Sequence, residues 1–195
     1  MHMMTGMKKR MIGKMSKMRG TFSSPIVFSK EMKKMKIVVF GADNSGKTTL
    51  CNNLSKILGL ELVPPLGPKN LSEQIKYLNK YLTKEESVVF DRFPTIEEYC
   101  CGNVLRGNDN FRDIDCKIWL EKVDVFIFCN PGLDSIKNWG EREQMTGIKE
   151  NIDELYKYYN FVFTILSKQC YNVYEYNFNK ESAKELAKKI EEDLR

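Results

Sequence analysis

One segment of the chain has the residue types and the spacing of a phosphate-binding loop. Residues 41–48 match the pattern G-x-x-x-x-G-K-[ST] in full, with an apolar run before them and an amphipathic stretch after them. The two glycines allow the backbone to wrap around a phosphate, and successive N–H groups at a helix start point at the anion. The residues expected to hold a nucleotide here are Gly41, Asp43, Asn44, Ser45, Gly46, Lys47, Thr48 and Thr49.

Two side chains of this loop and one acid further along the chain predict the cofactors. Lys47 should reach the β- and γ-phosphates of ATP, and the Thr48 hydroxyl should coordinate Mg²⁺. Asp91 ends the apolar run 87–90, so it would point into the crevice where ligands of parallel sheets bind. There it would hold Mg²⁺ or accept a proton from an acceptor group, and the alternative is a strand-end cap. We therefore predict ATP and Mg²⁺ as cofactors, with Thr48 and Asp91 as metal ligands.

Arginine is rare in this lysine-rich chain, which makes its positions informative. Between residues 36 and 194 the arginines are Arg92, Arg106, Arg112 and Arg142. Because Arg grips phosphate with a planar fork whereas Lys acts as a point charge, these residues are candidate phosphate contacts; structural salt bridges are the alternative. Arg142 lies in the polar stretch 138–147, which we expect to form a lid over ATP.

The pattern of apolar and amphipathic segments predicts the elements that position these residues. Strands are predicted at 36–40, 60–63, 87–91, 123–129 and 172–176. Helices are predicted at 47–58, 70–83, 95–105, 113–122, 148–168 and 180–194. Apolar strands that alternate with helices form a parallel sheet covered on both faces. We therefore predict an α/β P-loop NTPase fold with a five-stranded, mostly parallel sheet, helices on both faces and a small lid.

Basic charge is concentrated at the start of the chain. Residues 1–36 carry ten Lys and Arg and one acid, for a net charge of +9, whereas the remaining residues have a net charge of −4. Residues 1–35 show no helix or strand period, so we predict a disordered basic extension there and a P-loop kinase domain over 36–195. Two alternative interpretations of the extension are a basic arm that contacts nucleic acid weakly and an organelle transit peptide.

Composition excludes several classes of protein. The single histidine is His2, which argues against a histidine-dependent triad or a His-rich metal site. No run of eighteen apolar residues predicts a membrane-spanning helix. The six cysteines form no C-x-x-C pair and no secretory segment precedes them, so we expect reduced thiols in a cytoplasmic protein.

The residues after the later strands separate the classes of P-loop protein. A GTPase would need D-x-x-G and N-K-x-D, but the chain has Asp-Arg-Phe-Pro at 91–94 and Asn-Pro-Gly-Leu-Asp at 130–134. A motor or assembly ATPase usually has a larger domain. A small kinase fits the length of the domain best.

The chain resembles the thymidylate-kinase-like P-loop kinases, especially the deoxynucleoside monophosphate kinases encoded by bacteriophages. The segments that carry the resemblance are 40–49, 88–94, 97–107 and the lid-and-helix stretch 142–159, within a region from about residue 36 to 176. Two departures are the spacing of only 44 residues between Lys47 and Asp91, and Asn44 in place of the usual glycine.

The resemblance implies transfer of the ATP γ-phosphoryl group to a deoxynucleoside monophosphate, in the host cytoplasm if the protein is phage-encoded. It implies catalytic roles for Lys47, Asp91, Arg92 and Arg142. It also implies that the acceptor is bound by Asp91, Arg92, Phe93, Tyr99 and Arg106. Arg106 would grip the acceptor phosphate, and Phe93 or Tyr99 would pack on the base.

Two other functions stay open at this point. One is a kinase that acts on a hydroxyl of a nucleoside or of a modified base in DNA, with Asp91 as general base. The other is a nucleotide-binding regulatory protein without turnover. The apolar face of the helix predicted at 148–168 suits either the core or a homodimer.

Overall fold

The computed structural model describes residues 34–138, 146–169 and 171–194. Its strands are β1 Lys36–Phe40, β2 Glu61–Val63, β3 Val88–Asp91, β4 Val125–Cys129 and β5 Val173–Tyr176. Its helices are α1 Lys47–Leu58, α2 Leu71–Leu82, α3 Pro94–Glu97, α4 Lys117–Leu120, α5 Leu133–Lys137, α6 Ile152–Lys168 and α7 Ala183–Asp193. A π-helical segment, Glu98–Arg106, continues α3. The predicted lid arginine, Arg142, and nearly all of the predicted extension lie outside the described residues.

The five strands form one sheet in the order β2-β3-β1-β4-β5, and every neighbouring pair is parallel. The predicted five-stranded α/β fold is confirmed, and the sheet is parallel throughout rather than mostly. In the register, Val39 of β1 lies beside Asp91 of β3, and Phe40 lies beside Phe128 of β4. Since parallel strands end at the same edge, the loop after β1 and the acid at the end of β3 meet there.

Each face of the sheet is covered by helices, because alternate strand residues point to opposite sides. Ile37 and Val39 belong to a core shared with α1 and α7. Val38 and Phe40 belong to a second core shared with α2, the π-helical segment and α6. All five residues of β1 are buried, as expected for a central strand of a parallel sheet.

The main differences from the predicted helices are two later helix starts and one helix that was not predicted. The helix predicted at 113–122 is shorter in the structure, where it corresponds to α4. Asp115 Oδ1 accepts a hydrogen bond from Lys117 N at 3.0 Å, and this bond favours a helix that starts after Asp115. The long helix predicted from residue 148 begins at Ile152, after Gly147 with a φ of 85°. The sequence pattern missed α5, a single short turn of helix after Gly132.

In the described residues, the free thiols are Cys51, Cys100, Cys101, Cys116 and Cys129. Within the same ranges, no helix has the length and apolar character needed to cross a membrane.

Candidate nucleotide site

The loop between β1 and α1 has a backbone that requires its two glycines. Gly41 has a φ of 143°, and a Cβ there would lie 2.7 Å from the carbonyl oxygen of Cys129. Gly46, with a φ of 87°, is the residue before α1. No side chain of the described residues caps this helix, and Leu50 N donates to Gly46 O at 3.0 Å. The first-turn N–H groups are therefore available to an anion.

Asn44 holds the loop against the turn of helix that follows β4. Its φ is 64°, in the left-handed region that Asn tolerates better than most residues. Its Nδ2 donates to the carbonyl oxygens of Ile136 and Asn138, both at 3.0 Å. The sequence placed Asn44 in the nucleotide loop, but its anchoring of α5 was not predicted.

Lys47 lies across the loop with its side chain only 3% exposed. Its Nζ donates to Ala42 O at 2.6 Å and lies 3.6 Å from Asp43 Oδ1. Burial lowers the pKa of Lys47, and the neighbouring Arg92 guanidinium lowers it further. The ammonium group is thus held beside the phosphate loop, where a bound phosphate would replace the backbone carbonyl as its partner.

Thr48 and Asp91 meet at the sheet edge, as predicted for a pair that binds a metal. Thr48 Oγ1 donates to Asp91 Oδ2 at 2.6 Å. Asp91 is 3% exposed, and its Oδ1 is buried without a hydrogen-bond partner among the described residues. A hydroxyl and a carboxylate with a spare oxygen are the hard ligands that Mg²⁺ prefers. These residues fit a Mg²⁺ ion; that they bind one stays a prediction.

Arg92 connects the phosphate loop to the helix that follows β3. Its Nη2 donates to Asp43 Oδ1 at 2.6 Å and its Nη1 donates to Glu97 Oε2 at 3.2 Å. Burial by itself would lower the pKa of Arg92. The negative charges of Glu97 and Asp43 outweigh the effect of burial, so the pKa of Arg92 is raised. Burial likewise would raise the pKa of Asp43, yet Lys47 and Arg92 hold it below its ordinary value.

A cavity of about 310 Å³ lies beside this ion-pair network. Its charged and polar wall is formed by Asp43, Gln74, Arg92, Glu97, Glu98 and Arg106. Its apolar wall is formed by Pro65, Leu66, Pro68, Pro94, Leu105 and Ile148. A concave site with a mainly apolar lining and a few convergent polar groups is the usual form of a small-molecule site.

Glu97 has one carboxylate oxygen to which no described residue bonds. Its Oε2 accepts from Arg92 and from Tyr159 OH at 3.0 Å. Its Oε1 is buried and has no partner in the described parts of the chain. The sequence did not identify Glu97, although its position five residues after Arg92 on a predicted helix was a signal.

A second polar cluster, Gln74–Glu98–Arg106, forms another part of the cavity wall. Gln74 Nε2 donates to Glu98 Oε1 at 2.6 Å, and Arg106 Nη2 donates to Glu98 Oε2 at 2.7 Å. Arg106 was predicted from its residue type, and it does line the cavity. Gln74 and Glu98 were missed, because nothing in the spacing of α2 or of the π-helical segment separates a buried polar residue from a solvated one.

The structure corrects the two aromatic predictions for the acceptor side. Phe93 has no exposed surface, does not line the cavity and packs perpendicular to Phe90 at 5.4 Å between ring centroids. Tyr99 also lies outside the cavity wall, since its ring packs against Tyr158 and Phe161. The contacts of both rings are packing contacts with other aromatic side chains.

Four predicted residues remain. Ser45 is fully buried in the phosphate loop. Thr49 is exposed in the first turn of α1, next to Thr48. Arg112 is exposed and does not line the cavity. Arg142 belongs to the segment outside the described residues.

Comparisons with known proteins identify the fold. No family model and no curated protein matches the chain. The structure of YorR protein from Bacillus subtilis in complex with phosphorylated GDP has a TM-score of 0.65 at 18% identity, covering 82% of this chain and 95% of that chain. Deoxyadenosine kinase from M. mycoides with products dCMP and dCDP has a TM-score of 0.56 at 22% identity, covering 82% and 98%.

A third solved structure is also similar in fold. Shikimate kinase from Acinetobacter baumannii in complex with shikimate has a TM-score of 0.53 at 14% identity, covering 83% of this chain and 93% of that chain. At these identities the likeness concerns the fold. This chain therefore has an α/β P-loop NTPase fold of the kind found in small kinases.

Proposed function

We propose that this protein is a nucleotide kinase that transfers the γ-phosphoryl group of ATP to a deoxynucleoside monophosphate and forms the diphosphate. The observation that carries the proposal is the position of Arg92. Its guanidinium bridges Asp43 of the phosphate loop and Glu97 of the cavity wall. An acceptor phosphate bound in the cavity would therefore lie beside the Arg92 guanidinium, next to the loop that would bind the donor phosphates.

The chain's own groups account for the chemistry of such a transfer. Lys47 and the first-turn N–H groups of α1 would bind the donor phosphates, and Thr48 and Asp91 would hold Mg²⁺. When bound, the ion supplies charge neutralisation between the phosphates. An acceptor phosphate needs no strong base, so positioning and charge neutralisation by Arg92 carry the reaction. Arg142 would add a second guanidinium from the predicted lid.

A second function, transfer to a hydroxyl of a nucleoside or of a modified base in DNA, is favoured by Glu97. Its unpartnered Oε1 belongs to a side chain that lines the cavity beside Arg92. A carboxylate there would accept the proton of an attacking hydroxyl. Carboxylates also outnumber guanidinium groups in the wall: Asp43, Glu97 and Glu98 against Arg92 and Arg106. Asp91 is less suited to that role, because its Oδ2 is bonded to Thr48.

The test is an ATP-to-ADP coupled assay with a panel of acceptors. The panel contains the deoxynucleoside monophosphates, their nucleosides and duplex DNA. Lys47→Ala should lower turnover at least about a hundredfold, as removal of a group that stabilises transition-state charge does. Lys56→Ala, which removes an exposed lysine from the same helix, is the matched control and should retain full turnover.

The acceptors that are used decide between the functions. Turnover of monophosphates that is lost in Lys47→Ala supports the proposal, and turnover of nucleosides or DNA alone supports the hydroxyl alternative. ATP binding without turnover of any acceptor contradicts both and leaves a regulatory protein.

Glu97→Gln separates the two chemistries by mechanism. The neutral amide cannot take a proton, so transfer to a hydroxyl should fall on the order of a hundredfold or more. Transfer to a phosphate should fall much less, because that acceptor needs no base. A large loss of monophosphate turnover in this variant would show that Glu97 has a role the proposal does not assign to it.

A further inference from the structure

A buried amide in the wall of the acceptor cavity is held in one orientation by its neighbour. Gln74 is 2% exposed and donates from Nε2 to Glu98 Oε1. Its own Oε1 is buried and has no hydrogen-bond partner among the described residues. A buried polar atom without a partner is costly. A ligand that fills the cavity is therefore expected to supply the missing donor.

The orientation of this amide follows from the chemistry of Glu98. An ionised carboxylate only accepts hydrogen bonds, so Gln74 must present its NH₂ group to Glu98 and its oxygen to the other side. Arg106 donates to the second oxygen of Glu98, whose side chain is only 5% exposed. The two oxygens of the Glu98 carboxylate thus hold Gln74 and Arg106 in place.

Glu97 and Glu98, adjacent in sequence, serve different parts of the cavity. Glu97 pairs with Arg92, which is bonded to the phosphate loop through Asp43. Glu98 pairs instead with Gln74 and Arg106. The reacting end of an acceptor must face the phosphate loop. The Gln74–Glu98–Arg106 cluster is therefore left to contact the part of the acceptor that does not react.

We propose that Gln74 and Arg106 recognise the base of the acceptor nucleotide, and that Glu98 is the positioning residue that sets their orientation. The proposal rests on the function proposed above, with the base as the part that does not react. Gln74 Oε1 accepts a hydrogen bond from an N–H on the edge of the base. Arg106 uses N–H groups not bonded to Glu98 to donate to a carbonyl oxygen or ring nitrogen beside it. A base that lacks the N–H leaves the buried oxygen unpaired and is rejected.

The test is equilibrium binding of the full chain, measured by calorimetry without ATP. The four common deoxynucleoside monophosphates and their nucleosides identify the tightest ligand. Its partner probe is the analogue in which the edge N–H is methylated: N3-methylthymine, N4,N4-dimethylcytosine, N1-methylguanine or N6,N6-dimethyladenine. We expect the analogue to bind roughly tenfold to a hundredfold more weakly, the cost of leaving a buried acceptor unpaired.

Two variants separate hydrogen bonding from steric exclusion of the methyl group. Gln74→Leu keeps the size of the side chain and removes the hydrogen-bond acceptor. The ratio of the dissociation constants of the methylated and the unmethylated ligand should therefore fall towards one. Glu98→Gln frees the amide to turn, so the ratio should fall there as well. A purely structural role would weaken both ligands alike and leave the ratio unchanged. Glu150→Gln, which neutralises an exposed glutamate, should keep the wild-type ratio.

The outcomes distinguish this inference from the proposed function. An unchanged ratio in both folded variants, or no binding of any probe, overturns the inference. Selective binding without phosphoryl transfer would support base recognition while contradicting the kinase. Phosphoryl transfer by a protein whose variants leave the ratio of dissociation constants unchanged would support the kinase and contradict base recognition. Thermal unfolding of each variant shows that it is folded, and Gln74→Leu suffices if Glu98→Gln does not fold.

Discussion

At the scale of single residues, backbone strain coincides with the candidate site. Among the described residues, Asn44 and Arg92 are the non-glycine residues with a positive φ. Both stand at the carboxyl edge of the sheet, and both side chains bond across elements: Asn44 to α5, and Arg92 to the phosphate loop and α3. Strained residues persist where their surroundings over-determine them, commonly at functional sites.

The charge network around Asp43 predicts a pH dependence of stability. The pKa of Asp43 lies below its ordinary value, because Lys47 and Arg92 outweigh the effect of burial. A carboxyl with a depressed folded-state pKa contributes stability above its unfolded-state pKa of about 3.9 and loses it as the pH falls through the folded-state value. Asp43→Asn should therefore lose less unfolding free energy than wild type on acidification.

Urea denaturation at steps from neutral pH to about pH 3 measures this difference, across the window below the unfolded-state pKa. Asp113→Asn, at an exposed position, is the control and should follow wild type. Parallel curves for wild type and Asp43→Asn would show that the ion pairs around Asp43 add no pH-dependent stability.

At the scale of elements, the π-helical segment positions the cavity's second polar cluster. Its first and last residues, Glu98 and Arg106, are joined by an ion pair, and π-helical turns are frequently found at functional sites. Gly102 lies between them. A Cβ on Gly102 would lie 2.5 Å from Asn108 O, 3.1 Å from Glu98 Oε2 and 3.2 Å from Arg106 Nη2. The glycine leaves the space in which the ion pair forms.

Gly102→Ala should therefore disturb both stability and ligand binding. The new methyl group must displace the backbone carbonyl of Asn108, and overpacking of this kind costs about 1–3 kcal/mol of unfolding free energy. Gly107→Asn is the contrasting variant. A Cβ on Gly107 meets nothing within 4 Å, and Asn tolerates its φ of 64°. Urea denaturation should show a near-neutral Gly107→Asn, and equal losses in both variants would contradict the steric argument.

The last helix is stabilised by a capping box that lies outside the candidate site. Ser182 Oγ accepts from Glu185 N at 3.3 Å, and Glu185 Oε2 accepts from Ser182 N at 2.7 Å. Ser182→Ala should lower the unfolding free energy by about 1 kcal/mol and leave turnover in the coupled assay unchanged. Ser182→Thr, which keeps the hydroxyl, should retain most of that stability. A loss of turnover at unchanged stability would mean that α7 contributes to the site.

At the scale of the whole molecule, the start of the chain and the rest of the chain have net charges of opposite sign. The first 36 residues carry a net charge of +9 and the remainder −4. All candidate site residues lie from Gly41 onward. We therefore expect deletion of residues 1–32 to leave turnover of a small acceptor unchanged. If the extension contacts nucleic acid, the same deletion should remove DNA binding by the full chain.

Fluorescence anisotropy with duplex DNA at about 50 and 200 mM salt measures that contact. Binding through several basic side chains weakens steeply over this range because counterions are released. DNA affinity that survives the deletion, or that ignores salt, would show that the basic extension is not the DNA-binding element.

The sequence by itself determined the phosphate loop, the α/β class and the number of strands, and it singled out Asp91 as a candidate site residue. These features depend on short-range rules: glycines where φ is positive, apolar runs of strand length, and an acid at a strand end. Parallel pairing then places the ends of β1 and β3 together, so Asp91 could be identified before its contact with Thr48 was seen.

Only the tertiary structure decided which residues line the cavity. Gln74 comes from α2, and Glu97 and Glu98 come from the junction of α3 with the π-helical segment. These residues meet because the helices pack on one face of the sheet. The same packing buries Phe93 in the core and places the Tyr99 ring against Tyr158 and Phe161. The resemblance had implied that one of these two rings packs on a base. A local pattern shows that a side chain is apolar or polar, but its partners depend on long-range packing, which no spacing along the chain specifies.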